Sequence, residues 1–137
     1  GINMSASNAT ENDVLKMICQ GTDPAWRASA NGYWALFTAD PGETGSLAAE
    51  CNYTGYARVA QTKSSAWTDG GSSFSNAALV QWPQCTGGSN DATHFAWVSS
   101  SSGATAYMVS GALSATLSIS NGIQPQAAAG QLVVTAD

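Results

Sequence analysis

Short apolar runs separated by turn-forming residues dominate this chain, and the densest of them is Tyr33-Trp34-Ala35-Leu36-Phe37. Aromatic and bulky aliphatic residues suit a pleated, half-buried surface, so the run predicts a strand, closed by Thr38. A period of two puts Trp34 and Leu36 on one face and Tyr33, Ala35 and Phe37 on the other. Both sets are apolar, which predicts cover on both sides. Asp40-Pro41-Gly42 then stops the strand. Proline presets φ and glycine accepts φ > 0, so these three residues form a structural turn.

The same alternation continues downstream. "GYARVAQ" (55–61) reads as a strand in which Tyr56, Arg58 and Ala60 alternate with Ala57 and Val59. Trp67-Thr68 and Phe74-Ser75 flank Asp69-Gly70-Gly71-Ser72, a hairpin signal. "AALVQW" (77–82) is a strand ended by Pro83, and residues 85–91 carry turn chemistry. "ATHFAWVS" (92–99) sets Phe95 opposite His94, Ala96 and Val98. Ser99 to Gly103 is a hairpin tip, and 104–110, 115–119 and 132–135 complete the strands. Leu47 to Glu50 reads as a helical turn or irregular chain. About seven or eight short strands with turns every 8–12 residues predict a mainly β, single-domain antiparallel β-sandwich or barrel-like fold spanning residues 1–137. No internal repeat or second domain is visible.

One segment has helical spacing. Thr10 is a suitable N-cap, and Glu11 and Asp13 place negative charge in the first turn. Val14, Leu15 and Ile18 share one side, Met17 lies near their edge, and Gly21 is a C-terminal stop. This predicts a short N-terminal helix over 11–20, docked by its apolar stripe because a helix of about ten residues is marginal alone. Residues 1–10 read as a flexible arm, with Gly1-Ile2-Asn3 a tag remnant ahead of a natural start at Met4. Residues 22–31 read as a connector broken at Asp23-Pro24.

Composition narrows the function. Only 9% of the 137 residues are charged, against about 25% in an average soluble domain. Glycine, alanine, serine and threonine replace them, a surface suited to packing in an assembly or to life outside the cell. The net charge is −5 and no basic run exists, so the electrostatic footprint of nucleic-acid binding is missing. No apolar run approaches the roughly 20 residues of a helical membrane span, and no signal peptide is visible. Three widely spaced cysteines, Cys19, Cys51 and Cys85, are an odd set. They read as buried or half-buried free thiols made in a reducing cytoplasm, the alternative being one disulfide and one free thiol. Asn8-Ala9-Thr10 and Asn52-Tyr53-Thr54 read as chance matches to a glycosylation triplet.

Candidate chemistry is sparse. His94 is the single histidine, and nothing near it in sequence proposes a nucleophile. The cysteines and His94 lack the close spacing of zinc ligands. Asp40, Glu43 and Glu50 lack the dense oxygen pattern of a calcium loop and read as a solvated acidic loop. No phosphate loop, dinucleotide fingerprint or nucleophile elbow is present. The reading is a protein that is not an enzyme, with no metal and no cofactor. Of the five tryptophans, Trp34, Trp82 and Trp97 lie within strand patterns and read as core. Trp26 and Trp67 lie in or beside loops. They read as sugar-stacking platforms, as subunit-interface anchors, or as caps on the ends of the sandwich. Tyr53 joins them as a loop aromatic. Arg58, on an otherwise apolar strand, needs a partner in Glu50 or Asp40, and it is the fourth binding or interface candidate beside Trp26, Trp67 and Tyr53.

Taken together, "ENDVLKMI", "YWALFTADPGETG", "GYARVA", "SNAALVQWP", "THFAWV", "SGALS" and "GQLVVTAD" occur in an order that resembles a family of small structural proteins of tailed bacteriophages, its members tail-fibre or minor tail proteins. The resemblance runs from about Ser5 to Asp137. It implies a non-enzymatic virion component with a β-sandwich-like fold, assembled in the bacterial host cytoplasm. The positions it marks are structural: the Asp40-Pro41-Gly42 turn, Tyr56-Ala57-Arg58-Val59, and Ser75-Asn76. Cys51 and Cys85 flank these motifs, and a thiol pair there stays open, as does tail against head. The expected action is self-association, with a trimer by analogy, and binding to other virion proteins of the tail or major capsid. The alternative is a carbohydrate- or receptor-binding module that stacks a host-surface glycan on Trp26, Trp67 or Tyr53.

Overall fold

The computed structural model describes residues 5–136; the tag-remnant reading of Gly1 to Asn3 lies outside the described residues. In chain order the elements are α1 (Asn8–Gln20), a single 3-10 turn (Ala25–Ala28), β1 (Asn31–Phe37), β2 (Val59–Thr62), α2 (Lys63–Ala66), β3 (Trp67–Asp69) and β4 (Ser73–Asn76). After them come β5 (Val80–Gln81), β6 (Asn90–Val98), β7 (Met108–Ile119), β8 (Gln126–Ala127) and β9 (Val133–Thr135). They form a four-stranded sheet β2-β1-β6-β7, a three-stranded sheet β3-β4-β9 and a two-stranded ribbon β5-β8. Every pairing is antiparallel. The fold is mainly β, as the alternation predicts, and the sheets do not close into a barrel.

β1 is an inner strand, and it is covered on both faces. Trp34 and Leu36 enter a large apolar cluster with Trp82, Phe95, Trp97 and Leu132. Ala35 and Phe37 enter a smaller one with Ala96, Val98 and Met108 on the opposite face, with Tyr33 packed against it. The two-residue period therefore sorts these side chains as the sequence predicts. In β6 the sorting is offset by a bulge. Ala92 pairs with Leu117 while His94 pairs with Ala112, so residues 113–116 stand opposite Thr93 alone. Ala92 and Phe95, an odd number of residues apart, then face the same cluster.

Several expectations are corrected. The helix starts at Asn8, and its N-cap is Ser7 and not Thr10; the Ser7 side chain accepts the Thr10 N–H. Thr10 is buried, and its hydroxyl accepts the Met108 N–H at 2.8 Å. Gly21 does end the helix, in the left-handed conformation at φ 65°. The apolar stripe docks only in part: Val14 and Met17 are half-buried, but Leu15 and Ile18 are 41% and 74% exposed. Residues 5–7 are no loose arm. Ser5 donates its N–H to Thr135 O at 3.0 Å and accepts from Ser110 N at 2.6 Å, and Ser7 N donates to Met108 O at 2.9 Å. The arm thus bridges β7 and β9.

The strand predicted over 55–61 shrinks to Val59–Thr62, and that over 77–82 shrinks to Val80–Gln81. Asn76 causes the second change. Its buried amide donates to Ala78 O and Ala128 O and accepts from Leu132 N, which turns the chain out of the ladder. The predicted strands 104–110 and 115–119 merge into the single bulged β7. The Asp69-Gly70-Gly71-Ser72 hairpin forms as predicted, with Gly70 N donating to Ser73 O at 2.8 Å.

Two glycines hold the aromatic packing. A Cβ on Gly32 would overlap the Trp97 indole. On Gly111 it would overlap the Val133 carbonyl and sit 2.8 Å from Phe95 Cε1. Gly32→Ala and Gly111→Ala are each expected to lower unfolding free energy by about 1–3 kcal/mol, the usual cost of overpacking. Gly111→Ala is expected to cost more, because backbone yields less than a side chain. Urea unfolding followed by tryptophan fluorescence checks both.

Candidate functional site

The most ordered polar site forms where the 50–58 segment crosses the end of β1. Glu50 bridges Phe37, and Cys51 N donates to Leu36 O, so the segment is pinned to the last two residues of β1. The Arg58 side chain turns inward and is 2% exposed. It meets Glu50 in a two-pronged pair, Nε to Oε2 at 2.8 Å and Nη2 to Oε1 at 2.9 Å. Nη1 donates to Ser100 O and Nη2 to Gly103 O, both at 2.8 Å. Four of the five guanidinium N–H groups are thereby used. Tyr56 completes the set by donating its hydroxyl to Glu50 Oε2 at 2.6 Å and accepting Leu36 N at 3.2 Å.

Of the two partners proposed for Arg58, the structure selects Glu50. Asp40 is engaged elsewhere. Its carboxylate accepts Gly42 N at 2.9 Å and closes the turn in which Gly42 sits at φ 69° and Pro41 is buried. Hydrogen bonding to Glu50 holds the Arg58 guanidinium above its ordinary pKa. Burial first, and then the bond to Glu50, raises the Tyr56 phenol well beyond the usual tyrosine range. The site couples β1, the 50–58 segment and the 99–103 hairpin tip.

The aromatic candidates are held by the fold. Tyr53 is 3% exposed and donates its hydroxyl to Pro83 O at 2.6 Å. That corrects its reading as a stacking platform, because a buried ring offers no face to a sugar. Trp26 is half-buried against Tyr107, with ring centroids 5.0 Å apart, and its Nε1 donates to Asp13 Oδ2 at 2.8 Å. Lys63 donates to Trp26 O at 2.8 Å and lies 5.7 Å from the centre of its ring. Trp67 is half-buried beside Trp34 and Trp97, at centroid distances of 4.8 and 5.7 Å. The four named candidates are therefore not brought together: Arg58 and Tyr53 lie inside the 50–58 segment, Trp26 lies beside α1, and Trp67 opens β3.

His94 accompanies Asp40 and Glu43 on the wall of a depression of about 300 Å³, next to Ser5 and Ser110. Its Nδ1 lies 2.8 Å from Thr93 Oγ1. No three His, Cys, Asp or Glu side chains group as metal ligands among the described residues. The cysteines are free, Cys51 and Cys85 buried and Cys19 exposed. Burial, assisted by the nearby Glu50 charge, pushes the Cys51 thiol up to about 12. Sequence reasoning missed two contributors. The carbonyls of Ser100 and Gly103 carry no side-chain signal, and the solvent-facing Leu15 and Ile18 look the same in sequence as a docked stripe.

The sequence profile of the family described as podophage GP4 fiber I protein gp80 matches residues 5–135. The chain belongs to this family. No curated protein matches it. The protein is thus a phage fibre structural protein and a virion component. No helix among its described residues is long and apolar enough to cross a membrane.

Arg58→Ala is expected to cost about 3–5 kcal/mol, because it leaves the Glu50 carboxylate without its partner. Replacing both, as Glu50→Leu with Arg58→Met, is expected to cost less than the single change; chemical denaturation of the three proteins checks the order. A second outcome follows from the raised acids. Cys51, Tyr53 and Tyr107 ordinarily titrate at 9.0, 10.0 and 10.0, and burial lifts each to about 12. Between those limits the unfolded chain has lost protons that the folded chain keeps. Stability is therefore fully present below about pH 9 and is lost as pH rises towards 12, which urea midpoints taken from pH 8 to 11 check.

Proposed function

We propose that this fibre protein acts without catalysis, by self-association and by binding other virion proteins, through apolar surface that the monomer leaves uncovered. The observation that carries this reading is α1. Its C-terminal half turns Leu15 and Ile18 to solvent, where a helix of an isolated domain normally buries its apolar side. Leu79 and Ile123 add further exposed apolar surface elsewhere. The low charge supports close packing of copies, since few ions need desolvation. A threefold homo-oligomer is the arrangement favoured by analogy with other fibres. The family description favours a place in the fibre over decoration of the capsid. The free buried thiols of Cys51 and Cys85 fit assembly in the reducing cytoplasm of the host.

A glycan-binding role through Trp26 and Trp67 has less support. Both indoles are engaged in packing, and Trp26 has also committed its N–H to Asp13.

Light scattering on size-exclusion peaks over a range of concentrations tests the reading. The wild-type protein is expected to run as a discrete oligomer. Leu15→Glu with Ile18→Glu is expected to weaken it by about tenfold or more, since each buried aliphatic side chain contributes about 1.5–3 kcal/mol. A wild-type monomer at all concentrations that also fails to bind phage particles sinks the proposal. Glycan-array signal that disappears in Trp26→Ala or Trp67→Ala would instead favour the sugar-binding alternative.

A further inference from the structure

Residues 5–20 form a unit that touches the rest of the chain along a narrow seam. Ser5 and Ser7 pair by backbone with Thr135, Ser110 and Met108. Asn8 N donates to Glu43 O at 2.7 Å, Thr10 Oγ1 accepts Met108 N at 2.8 Å, and Asp13 Oδ2 accepts the Trp26 indole N–H at 2.8 Å. Beyond Asp13 the helix runs outward, and Leu15, Ile18 and Cys19 are exposed. The receiving slot lies between β7 and β9, whose facing edges would otherwise present unpaired N–H and C=O groups.

One short connector joins this unit to the body. Gly21 stands at φ 65°, residues 21–23 are exposed, and Pro24 is extended at ψ 153°. Every contact across the seam joins a residue before Gly21 to one after Pro24. A second copy offers the same partners, so exchange between identical chains keeps each hydrogen bond and changes only the dihedrals of the connector.

We propose that residues 5–20 exchange between copies of this chain, with the Ser5–Ser7 arm of one copy seated in the β7–β9 slot of the next and residues 21–24 as the hinge. The proposal rests on the self-association reading and says how the copies are joined. A ring of exchanges closes into a discrete oligomer, whereas an unclosed series grows into a filament.

Ser5 Oγ and Thr135 Oγ1 lie 3.3 Å apart, close enough for an engineered disulfide to report which chain supplies the arm. Ser5→Cys with Thr135→Cys, on a Cys19→Ser background, is oxidised and run on a non-reducing gel beside light scattering of the same sample. Chains linked to one another are the expected result, and so is a covalent heterodimer when Ser5→Cys chains are refolded with Thr135→Cys chains. An internal link in a sample that scatters as an oligomer overturns the exchange and leaves self-association standing. An internal link in a monomer overturns both. Should the cysteine variants fail to fold, a flexible insert of about ten glycine and serine residues after Gly21 of the otherwise unchanged protein serves instead. It is expected to let each arm fold back and to shift the oligomer to monomer. An oligomer of unchanged subunit number overturns the exchange.

Discussion

The indole of Trp34 sets the positions of the sheets relative to one another. It is fully buried and lies 4.7 Å from Trp97 on the neighbouring strand and 4.8 Å from Trp67 on the second sheet, measured between ring centroids. Its Nε1 donates to Gln61 Oε1 at 2.9 Å, on the opposite neighbour β2. Its backbone carbonyl accepts the Trp82 indole N–H at 3.1 Å, which ties in the chain just after β5. One residue therefore touches two sheets and the chain that adjoins the third. Tilted and edge-on aromatic pairs add about 0.5–1.5 kcal/mol each beyond the area they bury. The larger effect is directional, because each ring fixes the angle of the next. Short strands of two to four residues, such as β5 and β3, have few ladder hydrogen bonds and depend on this packing for their place.

Polar interactions do for the loops what Trp34 does for the sheets. With charges so scarce, the buried pair of Arg58 and Glu50 stands out. Such a pair contributes little net stability once desolvation is counted. Its value is geometric. A planar fork with four bonds accepts one arrangement of Glu50, Ser100 and Gly103, and so it fixes a loop and a hairpin tip against each other.

Local chemistry makes much of this legible. The two faces of β1, the hairpin at 69–72, the stop at Gly21 and the need of Arg58 for a carboxylate all depend on neighbours in sequence or on unavoidable rules of pairing. The misses have a common cause. Leu15 and Ile18 form a helical stripe whether or not anything covers it, and only the tertiary structure shows that the C-terminal half of α1 leaves the body. Thr10 has the composition of a cap, but Ser7 takes that position because the chain upstream is already held against β7. Tyr53 looks like a loop aromatic because its segment has no strand pattern, yet its ring fills the core and its hydroxyl finds Pro83 O. Alternation overstates strand length wherever a side chain, Asn76 or Arg58, draws the backbone away from its ladder.

The contact between Ser5 and Thr135 has a mechanical meaning. The chain enters and leaves the body side by side, across one short hydrogen-bonded junction. Tension applied through the two ends passes over that junction and bypasses the tryptophan core. A pull on the two ends is borne first by these few hydrogen bonds and only after they open by the strands behind them.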